Sequence, residues 1–230
     1  MINELIPAPA RVEHAFVDYE SSLLALYPDE AVAVTRALPK RKREYASVRM
    51  CARRAMSALG VPASPLLSGP RGAPQWPAGL VGSMTHCLGF RAAAVARASD
   101  FRGLGLDAEP NEPLPPDLLE FISLPQERTR VHELAGMNPE IRWDRLLFSA
   151  KEAVFKVWYP ITQRELGFEQ ADIRIGARSG TFTAQLSATA VGSSDEFPNR
   201  LNGRWRCRDG FILTAIALRT RRGLPAAREI

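Results

Sequence analysis

The chain has 230 residues, with 30 Lys and Arg against 25 Asp and Glu, a net charge of +5 and a pI near 9.4. Cys51, Cys87 and Cys207 are too few and too widely spaced for a disulfide framework or a zinc cluster, and the longest apolar run, Phe211 to Leu218, is too short to cross a bilayer. Met1 to Ala10 does not read as a signal peptide, so the expectation is a monomeric cytoplasmic protein with no membrane partner, whose basic balance favours anionic ligands.

Residues 11 to 30 read as a short amphipathic opening with a loop at Tyr27-Pro28-Asp29, followed by a helical piece from Glu30 to Leu38. A stronger helix follows Pro39. Its apolar positions Tyr45, Val48, Ala52, Ala55, Met56 and Leu59 recur every three or four residues, and Gly60 and Pro62 close it. Residues 61 to 77 are rich in Pro, Gly and Ser and read as a loop around Gly69-Pro70-Arg71-Gly72, where glycine lets backbone approach a ligand closely. Gly79 to His86 reads as a short strand ending in a small polar turn, whose Ser83, Thr85 and His86 are phosphate donors by type. Phe90 to Ala96 and Leu104 to Ala108 read as a hairpin.

Pro110 to Pro116 is a proline-rich hinge. It divides the chain into an N-terminal lobe, 1–109, and a C-terminal lobe, 110–230. Leu118 to Leu134 has helical spacing interrupted at Pro125. The best helix runs from Ile141 to Tyr159, with an apolar stripe of Leu147, Ala150, Val154, Val157 and Trp158, and Pro160 is expected to end it. Phe148, Glu152 and Lys156 lie on a second line at i, i+4 and i+8, facing either solvent or a cleft. Four strands follow, near 172–175, 180–188, 203–208 and 211–218, with a hairpin turn at Arg208-Asp209-Gly210. The remainder, Arg219 to Ile230, reads as a frayed basic tail. Each half thus offers a helix followed by a hairpin, so the expected fold is α/β (α+β): two similar lobes facing each other across a cleft.

The chemistry concentrates in Gly105-Leu106-Asp107-Ala108-Glu109. Residues two apart on a strand share a face, so Asp107 and Glu109 point the same way as the apolar run stops. Two adjacent carboxylates repel, and a hard cation such as Mg²⁺ relieves that repulsion through oxygen ligands. The competing reading is two solvated acids at a strand end.

With both halves in view the chain resembles the 4′-phosphopantetheinyl transferases of the Sfp/EntD type. The resemblance covers roughly residues 35 to 218. It rests on Gly105-Leu106-Asp107-Ala108-Glu109, on Phe148-Ser149-Ala150-Lys151-Glu152 with Lys156 four further on, and on Trp76-Pro77 with Gly82-Ser83-Met84-Thr85-His86. The last piece and the basic helix resemble the enterobactin-synthetase-component branch and its actinobacterial relatives. Ser68 departs from relatives that often carry lysine there, and Arg71 is the nearby charge.

The resemblance implies a pseudo-dimer of two α/β lobes with coenzyme A between them. It also implies Mg²⁺-dependent transfer of the phosphopantetheine arm to a serine of an acyl or peptidyl carrier protein, releasing adenosine 3′,5′-bisphosphate. Attack on the β-phosphorus requires charge neutralisation, proton removal and a stabilised leaving group. On this reading Asp107, Glu109 and Glu152 hold Mg²⁺, or Mn²⁺ in its place, and the general base is Glu152, directly or through a metal-bound water; the ligand and base roles compete for the same carboxylate. Lys151 and Lys156 hold phosphate oxygens. Arg41, Arg49, His86, Ser83, Thr85 and the loop residues Gly69, Pro70 and Arg71 grip the nucleotide. Phe148, Trp158, Tyr159 and Leu166 are candidates for apolar contact with the carrier, or else core. Two other classes compete. One is a basic nucleic-acid-binding module built on Lys40 to Arg54, against which stand the acids and the lack of a binding motif. The other is a metal-dependent phosphohydrolase using the same acids.

Overall fold

The computed structural model describes residues 1–18, 21–192 and 197–220; most of the expected basic tail lies outside them. Strand β1 (Arg11–Ala15) occupies part of the segment read as an amphipathic opening. Two short helices, α1 (Ser21–Leu24) and α2 (Pro28–Ala33), lead into α3 (Pro39–Ser57). Pro39 opens α3, where its missing N–H has no partner to lose. The expected apolar face is buried: Tyr45, Val48, Ala52, Ala55 and Met56.

Beyond the 61–77 loop come β2 (Leu80–Cys87) and β3 (Phe90–Arg97), which pair antiparallel. With β1 on the other side of β3 they form a three-stranded sheet in the order β1-β3-β2. Ser83, Thr85 and His86 are therefore on a strand and not in a turn. The alternation of β3 sorts its faces. Ala93 and Val95 pack with Cys51, Ala52, Ala55 and Met56 of α3. Phe90, Ala92, Ala94 and Ala96 turn the other way.

Strand β4 (Phe101–Pro110) does not return as a hairpin on β3. It pairs along its length with β8 (Phe211–Arg219), with Asp107 opposite Thr214. It thereby becomes the edge of a five-stranded antiparallel sheet, β4-β8-β7-β6-β5, completed by β7 (Arg200–Arg208), β6 (Thr181–Leu186) and β5 (Ala171–Gly176). The expected strands after 170 are all present, and the turn between β7 and β8 has Asp209 and Gly210 both at positive φ, as a two-residue hairpin of this hand requires. Two helices follow β4 in the chain, α4 (Leu118–Ile122) and α5 (Pro125–Met137), divided where Pro125 interrupts the spacing. The long helix α6 (Trp143–Thr162) lies across it. Pro160 does not end α6. It sits in the last turn, where only one backbone bond is forfeited, and Gln163 in a left-handed conformation closes the helix.

The layers run α3, three-stranded sheet, five-stranded sheet, α6. Between the sheets, the alanines of β3 meet Leu104, Leu106 and Ala108 of β4 and Leu213 and Ala215 of β8. The opposite face of β4 carries Gly103 and Gly105. A Cβ on Gly105 would stand 2.0 Å from the Ala153 carbonyl of α6, so only glycine lets the helix lie this close. Ser149, fully buried on α6, hydrogen-bonds Thr214 of β8 at 2.9 Å and fixes the helix lengthwise. At one edge the two sheets are joined through side chains: Ser83 Oγ accepts from Leu106 N–H at 3.0 Å, and Thr85 Oγ1 from Ala108 N–H at 3.2 Å.

Candidate active site

Where α3, β2, β4 and α6 come together there is a pocket of about 320 Å³, lined from both halves of the chain. β4 contributes Asp107 and Glu109, on one face as strand geometry requires. Phe148, Glu152 and Lys156, three successive turns of one line on α6, form the facing wall. Arg41, Tyr45 and Arg49 come from α3, Thr85 and His86 from β2, and Ser68, Gly72 and Pro74 from the intervening loop.

Asp107 is almost fully buried. Its Oδ1 accepts from Lys156 Nζ at 2.6 Å and from Thr85 Oγ1 at 3.2 Å. Its Oδ2 is buried and has no hydrogen-bond partner among the described residues. Buried polar atoms are nearly always paired, so this oxygen marks a position that a ligand would complete. Glu109 lies against Arg145 of α6, whose Nη1 donates to Oε2 at 3.1 Å while its other nitrogens reach the Glu112 and Pro113 carbonyls. Burial, reinforced by the Asp107 charge, raises the Glu109 pKa to about 7 against the pull of Arg145. Burial also raises Glu152, with Asp107 adding to the shift and Lys156 opposing it. In both carboxyls burial outweighs the nearby cation. Among the described residues no three acid, histidine or cysteine side chains are grouped as a ready metal cluster: the three acids share the pocket, but Asp107 is drawn to Lys156 and Glu109 to Arg145.

The opposite end is basic. Arg49 is buried and its guanidinium stacks over the Tyr45 ring, 3.1 Å from the centroid. Nε donates to the Leu66 carbonyl at 2.7 Å, Nη1 to the Tyr45 carbonyl at 3.3 Å and Nη2 to Ser68 Oγ at 3.1 Å. Arg41 Nη1 contacts His86 Nε2. Because a guanidinium only donates, that ring nitrogen accepts and the proton resides on Nδ1. Burial, then the Arg41 charge, pushes the His86 pKa down to about 4, so the ring is neutral at pH 7.

Other expected site residues lie elsewhere. Lys151 is buried away from the pocket, its ammonium taken by the Phe168 and Ala171 carbonyls, each at 2.7 Å, and by Glu127 at 2.8 Å. All three donors of an ammonium are thereby used, which leaves none for a phosphate. Ser83 does not line the pocket; its buried Oγ accepts from the Leu106 amide. Gly69 and Pro70 line a separate cavity beside Trp76 and Tyr159. Arg71 forms a two-pronged ion pair with Glu165 across the two halves. Trp158 and Tyr159 are core residues and Leu166 packs against that core, while Phe148 faces the pocket. In the sequence, Tyr45 reads only as an apolar position of its helix and Arg145 carries no assigned role. Arg145 precedes Glu152 by seven residues, two helical turns on the same face, and that spacing is the signal that would have found it.

Two family models account for most of the chain: the 4′-phosphopantetheinyl transferase N-terminal domain over residues 29–96 and the 4′-phosphopantetheinyl transferase superfamily over residues 103–206. The chain belongs to the 4′-phosphopantetheinyl transferase superfamily. Among its relatives, the 4′-phosphopantetheinyl transferase Svp of Streptomyces mobaraensis is 52% identical over 219 residues, covering 95% of this chain and 89% of Svp. The 4′-phosphopantetheinyl transferase PptT of Mycobacterium tuberculosis is 41% identical over 224 residues, covering 95% and 98%. The 4′-phosphopantetheinyl transferase Npt of Nocardia iowensis is 44% identical over 218 residues, covering 91% and 96%. Both superfamily segments supply walls of the one pocket, the N-terminal one its basic end and the other its acids and Lys156.

Proposed function

We propose that the pocket transfers the 4′-phosphopantetheine arm of coenzyme A to a serine hydroxyl of an acyl or peptidyl carrier protein and releases adenosine 3′,5′-bisphosphate. The observation that carries this reading is the facing of β4's two acids by Glu152 and Lys156 of α6, in a pocket whose other end holds Arg41 and Arg49. Polarity is ordered along it: cationic where a nucleotide's 3′-phosphate would lie, acidic with one lysine where a diphosphate and its counter-ion would lie.

The residues fit a divalent cation. Among the described residues Asp107 Oδ2 has no hydrogen-bond partner, and burial holds the neighbouring Glu109 and Glu152 carboxyls above their ordinary pKa. Asp107, Glu109 and Glu152 would hold Mg²⁺, or Mn²⁺ in its place, with substrate oxygens completing a sparse protein shell. When bound, the ion neutralises diphosphate charge. Lys156 then shifts from Asp107 to a phosphate oxygen as a point charge. Glu152 would serve as general base for the serine proton through whichever carboxylate oxygen the ion leaves free. Arg41 and Arg49 bind the 3′-phosphate, with His86 orienting Arg41 through its Nε2 lone pair. The net charge of +5 steers an acidic carrier toward the enzyme. On this reading the protein works as a cytoplasmic monomer; no helix among the described residues is long and apolar enough to cross a membrane.

The nucleic-acid reading loses ground at α3. Arg49 and Arg53, two of the seven basic residues of α3, are turned inward to Glu30 and to backbone carbonyls, so the basic helix does not present a continuous outward face. The test is incubation with coenzyme A, Mg²⁺ and an apo carrier protein, followed by intact mass. A carrier gaining one phosphopantetheine, with an equal yield of adenosine 3′,5′-bisphosphate and full suppression by EDTA, is expected. Free phosphopantetheine with an unmodified carrier would establish a phosphohydrolase instead.

A further inference from the structure

Glu30, on α2, is completely buried, 0% exposed, yet takes no part in the chemistry described above. A carboxylate in that position is unfavourable unless paired and hydrogen-bonded. Its Oε1 accepts from the Leu66 N–H at 2.8 Å and from Arg53 Nη1 at 2.9 Å; its Oε2 accepts from the Tyr27 N–H at 3.0 Å and the same Arg53 nitrogen at 3.1 Å. Arg49 Nε stands 3.7 Å from Oε1.

The Tyr27 bond closes the first turn of α2, a local task that any good acceptor performs. The Leu66 bond has no such local purpose. It reaches 36 residues along the chain to the root of the loop whose Ser68, Gly72 and Pro74 line the pocket. Arg49 grips the same residue from its other side, donating Nε to the Leu66 carbonyl at 2.7 Å, and then reaches Ser68 Oγ with Nη2. Leu66 is thus clamped through its N–H by Glu30 and through its C=O by Arg49. Three of the five N–H donors of Arg49 are used by Leu66, Tyr45 and Ser68, and one remains on each terminal nitrogen where the side chain lines the pocket. Among the described residues, Glu30 is the carboxylate within ion-pair range of that guanidinium.

We infer that Glu30 is a positioning residue for the nucleotide end of coenzyme A: it fixes Arg49 and the Leu66–Ser68 segment in the arrangement that receives the 3′-phosphate, without touching substrate. This rests on the reading that Arg49 binds that phosphate, and one experiment separates the two claims. Steady-state constants are measured with coenzyme A and with 3′-dephospho-coenzyme A. The wild type is expected to prefer coenzyme A; an enzyme with no preference shows that the phosphate reading is wrong, whatever Glu30 does.

Given a preference, Glu30→Gln is expected to lower the ratio of the two kcat/KM values about tenfold, the scale of one charge-assisted hydrogen bond. The fall is carried by KM for coenzyme A, with 3′-dephospho-coenzyme A unaffected. Arg53→Met is the control. It loosens the α2–α3 attachment but keeps the Glu30–Arg49 contact, so it should cost stability and leave the ratio in place. If Glu30→Gln does not give folded enzyme, Glu30→Asp serves: its shorter side chain cannot reach Leu66 and both arginines together, and the ratio should fall about threefold. A folded Glu30 variant that is less stable but keeps the wild-type ratio, or that loses equally on both substrates, overturns the inference.

Discussion

Asp107 holds one oxygen against Lys156, and the other is buried without a hydrogen-bond partner among the described residues. Asp107→Asn preserves shape but removes the charge that pairs the lysine and, on the proposed reading, attracts the cation; the Mg²⁺ concentration for half-maximal rate should rise at least tenfold, checked by titrating Mg²⁺ at saturating coenzyme A. Glu152→Gln, assayed at saturating Mg²⁺ so that metal occupancy is held fixed, asks a different question. Burial disfavours its ionised form, so the amide should leave thermal stability nearly unchanged while kcat falls by about 10²–10⁴, the range for a lost general base. His86 supplies a pH signature. Its folded pKa, about 4, lies below the ordinary 6.5, so between those values the unfolded chain binds the extra proton and stability falls as pH falls. The melting temperature of His86→Gln should therefore decline less than that of the wild type from pH 6.5 to 4, with parallel curves above pH 7. Residue identity was the most legible level: Asp107, Glu109, Glu152, Lys156, Arg41, Arg49, Thr85 and His86 all line the pocket. Lys151 misled because a lysine beside Glu152 turns about 100° around the helix, into the core side where Glu127 meets it.

At the scale of elements, the catalytic wall depends on how tightly α6 lies on β4. Gly105→Ala would drive a methyl into the Ala153 carbonyl, and a close backbone contact cannot move aside as a side chain can. A loss of about 1–3 kcal/mol in urea unfolding is expected, together with a drop in activity from the displaced Lys156. The sequence displayed this glycine as part of a motif but not its reason, which exists only once two elements remote in the chain are stacked. Helices were legible because their apolar spacing is local: α3 and the stripe of α6 are buried as read. Strand partners were not. The hydrophobic alternation of β4 is equally compatible with β3 or β8 as neighbour, and the choice is made by glycines admitting α6 on one face and alanines of β3 filling the other. β1 escaped because only its last residue is fully buried, so it shows little alternation.

For the molecule as a whole, helix-on-sheet in each half was visible in the repeated order of elements, and the two sheets with their separate helices agree with that α/β expectation. The way the halves join was not visible. It depends on hydroxyls of Ser83 and Thr85 replacing backbone partners for β4, and a serine in a sequence does not announce which amide it will satisfy. Long-range charge also belongs to this scale. Encounter with an acidic carrier should be salt-sensitive, so KM for the carrier should rise several-fold between about 50 and 300 mM salt, as the Debye length shortens to a few ångströms, with kcat at saturating carrier nearly constant.

The pairing of Asp107 with Thr214 ties the acid-bearing strand to a segment more than a hundred residues later. During synthesis the ribosome must therefore deliver the chain through Phe211–Arg219 before β4 acquires its hydrogen-bonded neighbour, whereas the early three-stranded sheet can assemble sooner. A nascent chain stalled near residue 200 would carry every acid of the pocket and still lack the strand that aligns two of them.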